Sequence, residues 1–325
     1  MKPLKFENIY VEKVWGGRTM ADFKSDLPNG QIGESWEISC HDSATSVVAS
    51  GEFKGTSLKD LISLKGHELV GTKINLDRFP LLMKFLDAKT ELSIQVHPND
   101  EYALAKENDL GKTEAWVVLE AGKNANMVLG TKNATASSFK NAIETNNLEP
   151  LLNRIPVKKG DVYFIKSGLI HTMEDVLVAE IQQNSDTTYR VYDFGRGREL
   201  HIDKALEVMD MSLKGVKSPG LSYSIGDFKK TYYCFDQNFA LERYDIASTY
   251  SESSNLERFY IYTCVEGSGS INYDNDCMSI SKGESILIPA STGNYTIKGN
   301  LSLLKSYVPD LDILKSEIVD LVYCK

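Results

Sequence analysis

"GDVYFIKSGLIH", Gly160 to His171, returns in altered form as "GESILIPASTGN", Gly283 to Asn294. Each copy supplies a glycine, an acidic residue, a short apolar run suited to a strand, and then a turn of small residues. An echo of this kind points to a duplicated β-roll. The copies differ in chemistry, because the first ends in His171 while no histidine follows His201. Only the first copy is therefore expected to have kept an active constellation.

Outward from that pair the chain reads as mainly β. "SWEIS", "TELSIQVH", "EAWVVLEA", "DVYFIK" and "VLVAEIQQ" have the alternation or the β-branched and aromatic content of strands. "SLKDLISLKGHEL", "NDEYALAKEN", "SSFKNAIETNNLEPLLNRI" and "HIDKALEVMD" have helical spacing, several with Ser, Asn or Asp near the start as caps. The pattern lapses into Gly, Ser and Pro at "MSLKGVKSPGLSYS", residues 211 to 224. Beyond it "ALERYDIA", "RFYIYTCVEG", "GSINYDN", "CMSISKG", "ESILIPA", "NYTIKG" and "SLLKSYV" suit a small barrel or sandwich with little helix. Two domains are expected, 1–215 with helical additions and 216–325 as a second β-barrel without metal-ligating histidines.

The chain has 325 residues, more than one core comfortably serves, with 42% hydrophobic and 25% charged residues, an ordinary globular composition. A formal net charge of -9 and the lack of a basic run argue against nucleic acid as a partner. An anionic ligand then needs a local cationic pocket. Cys40, Cys234, Cys264, Cys277 and Cys324 are scattered and odd in number, which suggests neither a disulfide framework nor a thiolate zinc site. The start has no signal-peptide pattern, and the most apolar run, "FPLLMKFL", is short and broken by Lys84, so no membrane association and a cytoplasmic location are expected. The Asn-x-Ser/Thr matches at Asn133, Asn294 and Asn300 are then chance.

"LSIQVHPNDE", Leu92 to Glu101, alternates so that Ser93, Gln95 and His97 share one strand face, ~6 to 7 Å between successive members, and Pro98 ends the strand. A sheet with one wet face is the ordinary explanation for such a row. Glu114 in "GKTEAWVVLE" and His171 lie at or beside strands of the same β body, where a barrel brings them together with His97 and Gln95. Imidazole nitrogen and carboxylate oxygen are zinc donors, and a catalytic site keeps a position open for water or substrate. Lys112 shares a face with Glu114, and Glu180, Gln182 and Asn184 share another, with Arg190 following the turn at "SDTTY". A guanidinium fits phosphate oxygens, although an ion pair with Glu180 or Asp186 is its commoner employment.

"LSIQVHPND", "GKTEAWVVL", the segment ending at His171 and "AEIQQNSDTTYRVYDFGR" resemble the type I mannose-6-phosphate isomerases, a branch of the cupin superfamily, in their short bacterial form. "VWGG" around Trp15 and "GESWEIS" around Glu34 resemble that group's amino-terminal signature. The resemblance implies a duplicated cupin, that is, a jelly-roll β-barrel with a few added helices. It implies one Zn2+ per chain on Gln95, His97, Glu114 and His171, with Lys112, Glu180 and Arg190 lining a sugar-phosphate pocket. Two departures stand out: the turn before His171 reads Lys166-Ser-Gly where many cupins have Pro-x-Gly, and a separation of 57 positions from Glu114 to His171 leaves no room for a helical domain.

The activity implied is the interconversion of mannose 6-phosphate and fructose 6-phosphate through a cis-enediol, an isomerase step of carbohydrate metabolism. Arg190, Lys112 and Glu180 are the expected catalytic residues, Ser93, Lys112 and Arg190 the expected substrate contacts, and Glu180 the leading proton carrier, with Lys112 or a metal-bound water as rivals. A small-molecule sugar phosphate is the partner, and a monomer is expected. The rivals are a non-catalytic sugar-binding cupin, which need not retain the polar set, and a cupin oxygenase, which has no use for a phosphate clamp. "FGRGREL" and "GSGSI" are expected to be turns. His41, His67 and His201 are expected in solvent or core roles, and Trp15 and Trp36 in the core, with closure of the pocket's amino-terminal side as their alternative.

Overall fold

The computed structural model describes residues 1–323; Cys324 lies outside the described residues. By contact the chain divides into two units, one of Tyr10–Ser35 and Lys84–Ser218, the other of Met1–Ile9, Trp36–Met83 and the described residues from Pro219 on. The break at Pro219 falls inside the Gly-, Ser- and Pro-rich stretch. The expected amino-terminal block, by contrast, is shared between the units. The reason is backbone pairing: Leu4 exchanges hydrogen bonds with Leu287 at 2.9 Å each way, and Thr72 N–H donates to Leu256 O at 3.0 Å.

The sheet of the first unit runs Ile9–Gly17, Ile32–Ile38, Leu81–Ala88, His171–Gln183, Ile94–Val96, Tyr189–Tyr192, and Ile9–Gly17 pairs again with Leu81–Ala88. The Glu114–Thr131 strand pairs with His171–Gln183, Leu152–Pro156 and Val162–Ile165. It outlasts the expected "EAWVVLEA" because its exposed middle keeps its partner through a bulge where Asp175 takes φ +53°. Register decides the rest. Gln95 lies opposite His171 on one side and Arg190 on the other, while Glu114 lies between Gln182 and Ile165. One apolar cluster, including Trp15, Leu86, Trp116 and Val178, packs one part of the unit; another, including Val96, Val128, Phe139 and Ala205, takes in residues of helices Ala136–Glu144 and Ile202–Val208.

The helix after Pro98, Asp100–Lys106, starts where Asn99 accepts Tyr102 N–H at 3.0 Å, an N-cap. The expected helical segment through residue 155 ends earlier, at Glu144, and its last residues form the strand Leu152–Pro156. No described helix is long and apolar enough to cross a membrane.

The second unit's sheet runs Leu221–Ile225, Phe228–Phe235, Ala240–Ile246, Asn294–Tyr307, Tyr260–Tyr273, Asp276–Ser281, with Thr249–Ser253 beside Asn294–Tyr307 and Ser285–Ile288 beside Tyr260–Tyr273. Two pairs of expected strands are fused here: "RFYIYTCVEG" with "GSINYDN", and "NYTIKG" with "SLLKSYV". The glycines read as turns lie inside the ladder, and a Cβ on Gly267 would come 2.0 Å from Asn300 O. The helix Leu311–Tyr323 was not foreseen.

The echoed segments hold corresponding places, since Val162–Ile165 borders Glu114–Thr131 as Ser285–Ile288 borders Tyr260–Tyr273. Matching the ladders through Ile165 and Ile288 sets Tyr260 where the first barrel has Glu114, and Lys305 where it has Glu180. The buried Lys305 ammonium lies 3.7 Å from the centroid of the Tyr260 ring and pairs with Glu252, which also accepts from Tyr262 and, at 3.1 Å, from Tyr295. A second buried pair, Lys230 with Glu242 at 3.0 Å, lies in the same unit. Charge compensation of this kind is what a buried ammonium requires.

Candidate metal centre and its pocket

His97, Glu114 and His171 offer ligand atoms that all lie within 4.8 Å of one another, and each residue is 1% exposed. Glu114 Oε2 is 3.7 Å from His97 Nε2, and Oε1 is 3.5 Å from His171 Nε2. Both rings are turned by the same device. His97 Nδ1 donates to Thr187 O at 2.9 Å and His171 Nδ1 to Leu169 O at 2.8 Å. A carbonyl only accepts, so each ring carries its proton on Nδ1 and presents an Nε2 lone pair to the carboxylate.

Two glycines allow this convergence. Gly168, at φ +87°, donates to His97 O at 2.8 Å and so ties the turn before His171 to the other histidine. Gly111 lies so close to the helix start that a Cβ there would meet Asp100 N at 2.4 Å, which sets the chain path into Lys112 and Glu114.

His97 Nε2 and both Glu114 oxygens are buried without hydrogen-bond partners. Native interiors rarely leave such groups unmatched. Burial drives the His97 imidazole well below its ordinary pKa, helped by the nearby Lys112 charge, and burial takes His171 down to about 4. Burial, then repulsion from Glu180, raises Glu114 to about 7. Two neutral imidazoles and a carboxylate poorly solvated as an anion form a donor set that a divalent cation would satisfy. Gln95 is the fourth candidate. Its Nε2 lies 3.3 Å from His171 Nε2, and Ser93 Oγ donates to its Oε1 at 3.0 Å. A half-turn of the amide exchanges oxygen and nitrogen, and the Ser93 hydroxyl accepts as readily as it donates.

The cluster borders a pocket through Gln95 and Lys112, which line it while touching ligands; Lys112 Nζ lies 3.2 Å from Glu114 Oε2. Ser93, Glu180 and Arg190 line it as well. Glu180 Oε2 accepts from Trp116 Nε1 at 2.7 Å and its Oε1 lies 3.2 Å from Lys84 Nζ. Arg190 Nε is buried without a hydrogen-bond partner, and burial together with the like charge of Arg198 holds the guanidinium below its ordinary pKa. Gln182 turns to the loop beyond its strand, donating to Gln183 O and Ser185 O at 2.7 Å each.

Sequence reasoning passed over Lys13, Glu34, Lys84, Asp186 and Arg198 as pocket residues. Lys84 had a signal: an ionisable residue inside a strand whose eight residues are all buried needs a partner. Trp15 belongs to the core, as expected, and also lines the pocket, whereas Trp36 is buried outside it. His41 and His67 stay outside the site. His201, set aside as a solvent or core residue, brackets Arg190: its N–H donates to Arg190 O at 2.7 Å, and Arg190 N–H reaches its Nδ1 at 3.4 Å.

Residues 4–138 match the family model described as phosphomannose isomerase type I, catalytic domain, and residues 229–308 that described as mannose-6-phosphate isomerase, cupin domain. The chain is 34% identical over 315 residues to mannose-6-phosphate isomerase ManA of Bacillus subtilis, covering 94% of this chain and 99% of that one. It is 32% identical over 314 residues to the mannose-6-phosphate isomerase of Streptococcus mutans, covering 94% and 98%. The crystal structure of the Bacillus subtilis mannose 6-phosphate isomerase matches with a TM-score of 0.88 at 34% identity, over 94% of this chain and 99% of that chain. A variant of the phosphomannose isomerase from Salmonella typhimurium, 19% identical, shares the fold with a TM-score of 0.77 over 95% and 100%. With about a third of residues identical along nearly the full length of both bacterial relatives, the chain belongs to the type I mannose-6-phosphate isomerase family.

Proposed function

We propose that the chain interconverts mannose 6-phosphate and fructose 6-phosphate through a cis-enediol, using one zinc ion held by Gln95, His97, Glu114 and His171. The supporting observation is a buried pair of inward-facing imidazole nitrogens around the Glu114 carboxylate, set against a pocket that contains Lys112, Glu180 and Arg190. Nitrogen and oxygen donors in a three- or four-ligand set suit zinc, and the isomerisation needs no redox change at the metal. When bound, the ion polarises substrate oxygens and stabilises the negative charge that develops on them.

The chain's own groups do the rest. Arg190 meets the phosphate, its forked donors matching phosphate oxygens, and the unpartnered Nε is a donor in reserve. Lys112 reaches a substrate oxygen from beside Glu114, and Ser93 holds a sugar hydroxyl. Glu180 takes the proton from the carbon next to the carbonyl and returns it to the neighbouring carbon while the hydroxyl proton passes between the two adjacent substrate oxygens, with Lys84 balancing the Glu180 charge at 3.2 Å. Trp15, Leu86, Leu92 and Trp116 along the wall keep water from the intermediate.

The direct test incubates the protein with fructose 6-phosphate and follows the aldose formed by NMR. Activity should vanish on chelation and return with zinc. No aldose from the zinc-loaded protein would instead support the binding-module alternative. Arg190→Ala should retain zinc and lose roughly 10- to 100-fold in kcat/KM, mostly through KM, as expected for a lost charge-assisted phosphate contact. Loss of bound zinc in that variant would count against a phosphate role.

A further inference from the structure

We propose that Asp109 is a positioning residue, which fixes the loop of residues 184–188 so that the Thr187 carbonyl holds the His97 ring with Nε2 facing Glu114. The proposal rests on the metal-ligand role of His97 given above. Asn184 to Thr188 join the His171–Gln183 and Tyr189–Tyr192 strands without regular structure of their own, so no ladder sets their path. Side-chain bonds do so instead. A single oxygen of Asp109, Oδ2, accepts from Ser185 Oγ at 2.8 Å, Thr187 Oγ1 at 2.8 Å and Asp186 N at 3.3 Å.

The consequence reaches the metal centre in one step. Thr187 O, on the residue whose hydroxyl Asp109 holds, receives His97 Nδ1 at 2.9 Å. That bond fixes both the tautomer and the ring orientation, and groups that orient metal-ligating histidines act strongly on affinity. Asp109 stands five residues before Glu114 and does not line the pocket, so it acts through others. The same loop carries Asp186 and Thr188 into the pocket wall. A carboxylate suits the task because three donors converge on one oxygen, which a neutral acceptor satisfies less well.

The test compares Asp109→Ala, Asp109→Asn and the double variant Ser185→Ala with Thr187→Val, each as the full chain. Zinc affinity is measured by competition with a chelator, and the His97 tautomer is read from imidazole nitrogen shifts of the metal-free protein. Asp109→Ala should weaken zinc binding roughly 10- to 100-fold and mix the two His97 tautomers, with Asp109→Asn recovering part of the loss. The double variant should reproduce the alanine result, and it carries the test if Asp109→Ala does not fold. Unchanged affinity with an intact Nδ1–H tautomer would overturn the proposal. So would a melting temperature that falls while the tautomer persists, since that marks general stability alone. The tautomer signal is independent of zinc, so it fails separately from the ligand assignment, which the parent protein's own zinc titration checks.

Discussion

His97→Ala should lose its bound metal and ~10³-fold or more of its turnover while staying folded, because removing one nitrogen donor opens the set and leaves the developing negative charge without its counterion. Folding should survive, since the ring's one bond to backbone is to Thr187 O and its interior neighbours are His171 and Glu114. The check combines metal content with the fructose 6-phosphate assay, using His41→Ala as control because His41 does not line the pocket and its ring Nδ1 meets Ser43 Oγ at 2.7 Å. Full zinc and full turnover in the His97 variant would refute the ligand assignment.

Lys84→Met should cost about 3 to 5 kcal/mol of stability, the usual consequence of stripping the partner from a buried ion pair. Burial alone would push the Lys84 ammonium down, yet the attraction of Glu180 and Glu34 outweighs it and the pKa lies above its ordinary value. Glu180 Oε1 is 3.2 Å away and Glu34 Oε2 3.8 Å, with side-chain exposures of 5% for the lysine and 2% and 9% for the carboxylates. Methionine nearly matches the volume, so packing changes little and the deficit is electrostatic. Denaturant titration should show the loss, and adding Glu180→Gln should return part of it by removing one stranded charge. Equal stability of parent and Lys84→Met would mean that the carboxylates find other compensation.

Much of the candidate site's convergence was legible in the chain. Alternation put Ser93, Gln95 and His97 on one face, and the echo at Gly160 and Gly283 announced two barrels. Strand register, which no local pattern records, determined what was missed. Lys84 read as an interruption of an apolar run, yet the pairing of Leu81–Ala88 beside His171–Gln183 turns it into the partner of Glu180. Asp109 sits in a loop with nothing to distinguish it, and its importance comes from donors more than 75 residues away in sequence. Gly267 and Gly269 looked like turn residues because glycine marks turns more often than it marks close strand contact.

Lys305 stands where the first barrel keeps Glu180, with Tyr260 at the station of Glu114. Its positive charge is tethered to the chain, so no chelator removes it and no other ion replaces it. Each barrel thus carries a buried ammonium of its own, Lys84 against Glu180 in one and Lys305 against Glu252 in the other, but among the described residues only the first adds a histidine and glutamate set that an exchangeable cation could enter.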